Sequence, residues 1–394
     1  MTEFSPLTRA VRAGIETDPV HGAVIPPLHS STNYTFAAFG ERRRFDYARS
    51  GNPTRATLGE ALNGLEGGAG ATVLATGTAA ITLAVVSLLE PGDLVLYAHD
   101  CYGGTWRLFE ELQAKGLYRF EAVDLTDTDA AAARIAEARP SLVWIETPSN
   151  PLLRITDVAA ITAAAHAAGA LAVVDSTFLT PVLMRPFEHG ADVVVHSVTK
   201  YLNGHSDVVQ GAIIARTAEL AERFDHWSNV LGITASAADS HQVIRGLRTL
   251  ELRVERHQRN AADLVAAIAD HPAIAALHWP GLPTHPGHEL AKRQQDGFGA
   301  MLSIELAGGE PAARAFVEAL ELFSLAESLG GTESLVAHPA TMTHAAMTPE
   351  AQAEAGITAG LFRVSVGIEP IADLVTDFTA GLDAALRADA DGQG

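Results

Sequence analysis

The chain has 394 residues, 47% of them hydrophobic and 19% charged, which excludes an intrinsically disordered protein and suggests two or three domains of about 150 residues each. Acidic residues outnumber basic ones by 47 to 27, and the resulting net charge of −20 argues against nucleic-acid and anionic-membrane partners. A single cysteine, Cys101, excludes an intramolecular disulfide and a Cys-based zinc site. With no apolar signal segment near Met1, this composition predicts a cytoplasmic protein.

In chain order, residues 1 to about 60 come first, a segment with Pro- and Gly-rich pieces and several arginines. From about 66 to 215, short apolar runs alternate with helical patterns, which is typical of a mostly parallel sheet covered by helices. The predicted strands are Ala71–Leu74, Leu94–Tyr97, Ser141–Ile145, Leu171–Val174, Val193–Val195 and Gly211–Ala215. The predicted helices between them are Ala79–Leu89, Trp106–Lys115 and Val158–Ala168.

The rest of the chain predicts a smaller α/β domain. A long helical stretch, Ala235–Ala269, leads into this domain, which starts at about residue 250, and a Pro- and Gly-rich loop follows the stretch. Strand patterns then cover Ala300–Leu306 and Leu361–Val366, and helical patterns cover Pro311–Leu320 and Ile371–Leu386. We therefore predict an N-terminal segment (1–60), a larger α/β domain (61–250) and a smaller C-terminal domain (251–394).

Three chemically distinctive features follow three of the predicted strands. Thr76-Gly77-Thr78 opens a helix, where free amides and the helix dipole favour an anion, although an ordinary helix cap has the same composition. Asp175 ends a buried strand, where a carboxylate needs a partner or acts as an N-cap. Lys200 follows another buried strand between hydroxyl residues, so it is either a solvated charge or an amine nucleophile able to form a Schiff base.

Taken together, these features match the three needs of pyridoxal phosphate: a phosphate seat, an acid for the ring nitrogen and a lysine for the aldehyde. Tyr102, after the Leu94–Tyr97 strand, is either a core tyrosine or the aromatic cover of the ring. A nucleotide-binding α/β protein is the distant alternative. Its only support, the glycines at 67, 68 and 70, precedes a strand instead of following one.

Five runs carry a resemblance that covers nearly the whole chain: Asp46–Arg55, Glu146–Pro151, Val174–Phe178, His196–Asp207 and Ala326–Gly331. In these runs the chain resembles the pyridoxal-phosphate enzymes of cysteine and methionine metabolism. The resemblance implies an α/β, fold-type-I (aspartate aminotransferase-like) architecture, in which a mostly parallel sheet covered by helices is joined to a smaller C-terminal α/β domain. It also implies pyridoxal 5'-phosphate as the cofactor.

The resemblance also implies roles for individual residues. It makes Lys200 the Schiff-base lysine and proton carrier, with Tyr102 stacked on the ring and assisting proton transfer. The other cofactor-binding residues it implies are Gly77, Thr78, Ser197 and Thr199 at the phosphate, Asp175 at the ring nitrogen, Asn150 near the ring hydroxyl, and Tyr47 and Arg49 from the neighbouring subunit. Arg363 would bind the substrate α-carboxylate. A site shared in this way requires at least a dimer, and we predict a homotetramer built from dimers.

Within the family, several positions distinguish the branches. Gly104 stands where methionine-cleaving lyases carry cysteine, and Glu327 is typical of enzymes that act at the γ carbon. The stretches 201–209, 293–303 and 340–345 look most like bacterial cystathionine γ-synthases, although Ser50 stands where some of these have arginine. A second departure from the family pattern is Ser176, which follows Asp175 where asparagine is common in the family.

The resemblance implies replacement at Cγ of an O-acyl-L-homoserine by L-cysteine, giving cystathionine in transsulfuration and methionine biosynthesis. Arg107, Glu327 and Ser328 are the predicted substrate residues, although Arg107 is equally interpreted as an ion-pair residue. The acyl group, succinyl or acetyl, stays open. A cystathionine γ-lyase or an O-acylhomoserine sulfhydrylase on the same scaffold is the alternative.

Overall fold

The computed structural model describes residues 4–345 and 347–392, with the side chains of the last two left out. Its strands, numbered in chain order, are β1 Gly70–Leu74, β2 Leu94–Ala98, β3 Arg119–Val123, β4 Leu142–Glu146, β5 Leu171–Asp175, β6 Val193–Ser197, β7 Gly211–Ala215, β8 Ile274–His278, β9 Met301–Leu306, β10 Ser324–Leu325, β11 Leu335–Ala337 and β12 Leu361–Ser365.

The helices are α1 Pro6–Val11, α2 Pro53–Glu66, α3 Gly77–Leu88, α4 Gly103–Ala114, α5 Thr128–Ala138, α6 Val158–Ala168, α7 Thr180–Leu183, α8 Ala218–Leu231, α9 Ala237–Leu247, α10 Leu250–Ile268, α11 His288–Gln294, α12 Gly309–Glu318, α13 Pro349–Ala355 and α14 Ile371–Gly392. Single 3-10 turns cover Pro186–His189 and Pro339–Thr341. No helix within the described ranges is both long and apolar enough to cross a membrane.

The chain divides into two compact units. The first runs to Glu90 and resumes at Leu171–Glu251. Its strands lie in the order β1-β7-β6-β5, with β5 parallel to β6 and β7 antiparallel to both β1 and β6. Consequently β1, β5 and β6 run in the same direction, and their carboxyl ends lie along one edge, where ligands bind in sheets of this kind.

The second unit comprises Pro91–Ala170 and Leu252–Gly394. It contains the parallel strands β4-β2-β3 in that order. Its other sheet has the order β10-β11-β12-β9-β8, antiparallel except between β10 and β11. The predicted three-part division of the chain stays a prediction.

Local signals explain several element boundaries. α6 begins after Asp157, whose side chain accepts a hydrogen bond from the amide of Ala160, and it ends at Gly169, which has φ 84°. Glycine tolerates this left-handed conformation without a steric penalty. The strand that follows, β5, has three fully buried residues at its centre, which explains its uninterrupted apolar sequence.

The helical stretch predicted over Ala235–Ala269 is divided in the structure between two helices, α9 and α10. α9 ends beside Gly246, where an added Cβ would lie 2.3 Å from the carbonyl oxygen of Asn203. The amide of Thr249 donates to the carbonyl of Gly246 at 3.2 Å, which closes a turn between the two helices. Glycine is both a weak helix former and the only residue that fits this close approach.

Candidate active site

The chemically distinctive residues of the first unit lie at the carboxyl ends of its three co-directional strands. Gly77 and Thr78 follow β1, Asp175 ends β5, and Ser197 ends β6. Thr199 and Lys200 come directly after β6. We refer to these six residues as the cofactor cluster. The strand directions bring them to one edge of the sheet, as the sequence predicted.

The start of α3 forms a seat for an anion. The hydroxyl of Thr76 accepts from the amide of Ala79 at 2.9 Å, and the carbonyl of Thr76 accepts from the amide of Ala80. The amides of Gly77 and Thr78 precede these bonds, in the turn where helix amides lack an intrahelical partner. Both point with the helix dipole toward a site that favours negative charge.

Close packing fixes this seat against β6 and β7. A Cβ on Gly77 would lie 2.9 Å from the Oγ of Ser197, so only glycine brings the helix start this close to the end of β6. On β7, a Cβ at Gly211 would lie 2.1 Å from the carbonyl oxygen of Thr76. The seat therefore combines the backbone amides of α3 with the hydroxyl of Ser197, a donor set suited to phosphate.

Asp175 is held by the residue two positions after it. The amide and hydroxyl of Thr177 donate to its Oδ1 at 3.0 and 2.6 Å, while Thr177 Oγ1 accepts from the amide of Ser197 at 2.9 Å. Burial raises the pKa of the Asp175 carboxyl, and the hydrogen bonds from Thr177 and the charge of His196 oppose this. A carboxylate that is costly to desolvate is stabilised by a ligand that brings a cationic nitrogen.

Lys200 differs from the other lysines of the chain. The sequence contains three, and Lys115 and Lys292 are both exposed, whereas Lys200 is partly buried at the end of β6. The Thr199 side chain is bound to Gln210, since its hydroxyl donates to the carbonyl of Gln210 at 3.1 Å and accepts from the amide at 2.9 Å. In the cofactor cluster an anion seat, a partly buried carboxylate and a partly buried amine thus lie at the carboxyl ends of three strands that run in the same direction, and they fit pyridoxal phosphate.

In the second unit, Arg363 on β12 is almost fully buried, with 3% of its surface exposed. Its Nη1 donates to the side-chain oxygen of Asn150 at 3.2 Å, and its Nη2 donates to the carbonyl of Ser328 at 2.7 Å. Ser328 has φ 84°, a strained conformation for a residue with a side chain. These contacts fix the plane of the guanidinium group, which suits bidentate recognition of a carboxylate.

Tyr102 immediately precedes α4, and its backbone amide donates to the carboxylate of Glu146 at 2.9 Å. Burial raises the pKa of its phenol, opposed first by the charge of Arg107. Glu327 and Glu146 raise the pKa further, and Arg363 lowers it. The charges of Arg107, Glu327 and Arg363 thus all act on this phenol, and their predicted substrate roles stay predictions.

Tyr47 and Arg49 lie in the N-terminal part of the first unit. Both are exposed, and the guanidinium group of Arg49 stands 5.8 Å from the centre of the Tyr47 ring. Arg49 also donates to the carbonyl of Asn229 at 3.4 Å. Their predicted role, reaching the phosphate of a neighbouring subunit, stays a prediction.

Comparison with known proteins decides the family. A family model described as "Cys/Met metabolism PLP-dependent enzyme" matches residues 7–383. The chain is 52% identical to cystathionine gamma-synthase of Escherichia coli (strain K12) over 378 residues, covering 96% of this chain and 98% of that protein. The chain belongs to this family. The predicted family and the predicted cofactor, pyridoxal phosphate, are both confirmed.

Solved structures confirm the predicted fold class. A cystathionine gamma synthase from Xanthomonas oryzae pv. oryzae, in complex with cystathionine, matches with a TM-score of 0.97 and 55% identity, over 98% of this chain and all of that one. A cystathionine gamma-lyase from Lactobacillus plantarum, complexed with L-serine, matches with a TM-score of 0.93 and 38% identity, over 97% of this chain and all of that one.

Sequence reasoning missed several residues that shape these clusters. Glu146 ends β4 as Asp175 ends β5, so the same signal, a carboxylate closing a buried strand, was present there. Thr177 was visible as a hydroxyl two positions after Asp175, a spacing that favours a side-chain turn. His344, whose Nε2 lies 3.1 Å from the carbonyl oxygen of Asn150, had no comparable local signal.

Proposed function

We propose that this protein catalyses γ-replacement, in which L-cysteine displaces the acyloxy group of an O-acyl-L-homoserine to give L-cystathionine. The observation that carries the proposal is that a cation, Arg107, lowers the pKa of the Tyr102 phenol and an anion, Glu327, raises it, so that both charges act on this one group. An acyl tail ending in a carboxylate needs a cation, and the ammonium group of an incoming cysteine needs an anion. The relatives named cystathionine gamma-synthase support the same reaction.

Each residue then has a specific task. Arg363 grips the α-carboxylate of the substrate and orients its Cα–H bond. The cofactor cluster holds pyridoxal phosphate through the α3 amides, Ser197 and Asp175, and Lys200 forms the covalent link. When bound, the cofactor supplies an electron sink for the charge that develops at Cα.

Lys200 also moves the protons. With its amine free, Lys200 would take the Cα proton as a general base, give it up as a general acid and then remove a proton from Cβ; both protons would be returned to these carbons as the product forms. The acyloxy group would leave Cγ as a carboxylate, and the thiolate of cysteine would bond to the same carbon. We propose that Tyr102 covers the ring and assists the proton transfers.

The decisive experiment measures steady-state rates with succinyl-, acetyl- and phospho-homoserine, each with cysteine, and identifies the products. We expect cystathionine and the free acid in equal amounts. Two related activities are measured beside it. Faster cleavage of cystathionine to cysteine would favour a γ-lyase, which the match to the Lactobacillus plantarum structure makes the second candidate. Faster consumption of sulfide than of cysteine would favour a sulfhydrylase.

Substrate choice gives a first prediction. Arg107→Ala is expected to raise KM for the succinyl ester by roughly 10- to 150-fold, because a charge-assisted hydrogen bond contributes about 1.5–3 kcal/mol. KM for the acetyl ester, which lacks the terminal carboxylate, should change little. Glu327→Ala should mainly raise KM for cysteine. Because Ser50 provides no cation, the wild-type preference for succinyl over acetyl is expected to be modest.

A matched control is Lys115→Ala, which removes an exposed cation just beyond the opposite end of α4. It should leave both ester KM values unchanged. Equal losses on both esters for Arg107→Ala would show that this arginine organises the site in general and does not recognise the acyl tail.

We also propose that the protein is a homo-oligomer, a homotetramer built from dimers that share active sites. Large apolar side chains stand exposed in the N-terminal part of the chain, most of all Phe39 and Val20, with Val24 and Ile25 also more than half exposed. Exposed apolar surface of this kind is typical of a subunit interface. We propose that a second copy of this chain covers this surface, because the predicted role of Tyr47 and Arg49 requires a neighbouring subunit.

Mixing subunits tests the shared site. Arg49→Ala and Lys200→Ala proteins should each be nearly inactive, whereas mixed oligomers should regain part of the wild-type activity, because some sites receive an intact Arg49 and an intact Lys200 from different chains. Subunit exchange is verified by mass spectrometry of tagged chains. If verified mixed oligomers stay inactive, each site is built from one chain.

Cellular location stays a prediction. A single cysteine cannot form an intramolecular disulfide, and Cys101 is buried. Both facts agree with a reducing compartment. We therefore keep the cytoplasm as the proposed location.

A further inference from the structure

His344 lies in the loop after the 3-10 turn Pro339–Thr341, and only 1% of its surface is exposed. Both ring nitrogens have a close polar neighbour. Nε2 lies 3.1 Å from the carbonyl oxygen of Asn150, and Nδ1 lies 2.8 Å from the hydroxyl of Thr343. The ring therefore joins this loop to the segment that follows β4.

These neighbours fix the tautomer of the imidazole. A carbonyl oxygen can only accept, so Nε2 carries the proton and donates it to Asn150. Nδ1 then has a lone pair, which accepts from the hydroxyl of Thr343. Burial, and next the positive charge of Arg363, lower the pKa of His344 to about 4, while the hydrogen bond to Asn150 opposes them. The ring is consequently neutral at physiological pH.

Asn150 stands between His344 and Arg363. Its backbone carbonyl accepts from His344, and its side-chain oxygen accepts from Arg363 at 3.2 Å. The His344 backbone is itself held, because its amide donates to the carbonyl of Pro339 and its carbonyl accepts from the side chain of Gln352. The imidazole therefore fixes the position of the Asn150 backbone, from which the side chain extends to accept from one side of the guanidinium group.

We propose that His344 is a positioning residue that acts through Asn150 to orient Arg363 for the substrate α-carboxylate. The inference rests on the proposed carboxylate-binding role of Arg363. It predicts that losing the His344 contact to Asn150 weakens binding only of ligands that carry a carboxylate. A purely structural histidine would weaken binding of every ligand alike.

Two variants distinguish the contributions of the two ring nitrogens of His344. His344→Gln places its amide nitrogen at a reach similar to that of Nε2 and keeps the donor to Asn150. His344→Asn is shorter, so its amide can replace Nδ1 opposite Thr343 but cannot reach Asn150. His338→Asn is the matched control, because His338 has the same pattern, with Nδ1 at the hydroxyl of Thr341 and Nε2 at a backbone carbonyl, that of Ala359.

The measurement is calorimetric binding of L-alanine and of ethylamine, which is alanine without its carboxylate, to each holoenzyme. We expect His344→Asn to weaken alanine binding about tenfold, the effect of losing one hydrogen bond and leaving a buried carbonyl unpaired. Ethylamine binding should stay unchanged. His344→Gln and His338→Asn should bind both ligands as the wild type does.

Kinetics give a second readout. His344→Asn should raise KM for the homoserine ester about tenfold with kcat within about twofold, as expected when binding common to ground and transition states is lost. If His344→Asn does not fold, Thr343→Val keeps the ring and its bond to Asn150 but removes the hydroxyl that holds Nδ1. That variant should weaken alanine binding about threefold, again without an effect on ethylamine.

Equal weakening of alanine and ethylamine in His344→Asn, or no rescue by His344→Gln, would overturn the positioning role. Results with the wild-type enzyme, by contrast, would contradict the carboxylate role of Arg363 or the proposed reaction. A wild-type enzyme that binds alanine no better than ethylamine would remove the carboxylate role of Arg363 and the inference with it. A wild-type enzyme that discriminates between them yet makes no cystathionine would overturn only the proposed reaction.

Discussion

Replacing Lys200 by alanine is expected to lower turnover by at least about 10²-fold, the contribution of general acid–base catalysis alone. The variant also loses the covalent anchor of the cofactor, so the measured loss should exceed this figure. The fold should survive, because the backbone bonds at this turn, from the amide of Lys200 to Ser197 and from the amide of Gly204 to Lys200, do not involve the side chain. Circular dichroism and thermal unfolding check that point.

The other lysines provide the controls. Lys115→Ala and Lys292→Ala remove exposed amines and should keep wild-type turnover and the near-visible absorbance of the Schiff base. Borohydride reduction followed by peptide mapping should place the cofactor on Lys200 alone in the wild type. Near wild-type activity of Lys200→Ala, or a label on Lys115 or Lys292, would contradict the assignment.

The buried strands could be predicted because short, uninterrupted apolar runs between helical patterns are typical of buried parallel strands. The runs that became β4, β5 and β6 are almost fully buried, and buried parallel strands are uninterrupted apolar segments. α6 was predicted with the bounds that the structure shows, since Asp157 and Gly169 cap its two ends. These signals are local, so a single sequence is sufficient to detect them.

Elements that depend on distant contacts were missed. β3 is the last strand in the order of its unit and carries Arg119 and Glu121, so it has no apolar run. Glu121 accepts from Arg134 on α5 at 2.6 and 2.7 Å, an interaction that only the fold creates. The antiparallel direction of β7 likewise follows from its pairing and not from its composition.

The same distinction applies to the site. Asp175 and Lys200 were singled out because Asp175 ends a buried strand and Lys200 follows another by three positions, and the sheet brings such strand ends to one edge. His344 could not be found, because its partner, Asn150, lies 194 positions earlier in the chain. Ser328 contributes a backbone carbonyl to Arg363, and a carbonyl contact of this kind has no signature in the side-chain sequence.

Replacing Asp175 by asparagine is expected to weaken cofactor binding by roughly 10- to 150-fold, because a neutral amide cannot stabilise a protonated ring nitrogen and a charge-assisted hydrogen bond is worth about 1.5–3 kcal/mol. The local turn should remain. Asparagine keeps an Oδ1 acceptor for the amide and hydroxyl of Thr177, which bond to Oδ1 of Asp175. The effect on the cofactor is thereby separated from an effect on the fold.

Without the cofactor, the Asp175→Asn protein should be at least as stable as the wild type, although it binds the cofactor more weakly. Burial raises the pKa of Asp175 above 3.8, its unperturbed value, so the folded state holds this proton more tightly than the unfolded state. Stability from this group is therefore present at low pH and is lost as the pH rises from 3.8 through the folded-state pKa. Asparagine has no such loss, and at neutral pH the cofactor-free Asp175→Asn protein should unfold at a temperature equal to or above that of the wild type. Cofactor dissociation constants of both proteins, measured from pH 5 to 8, test the expected loss of binding. Melting temperatures of both cofactor-free proteins over the same range test the expected order of stability. If the variant binds the cofactor as tightly as the wild type and turns over at the same rate, Asp175 serves only to cap the turn at Thr177.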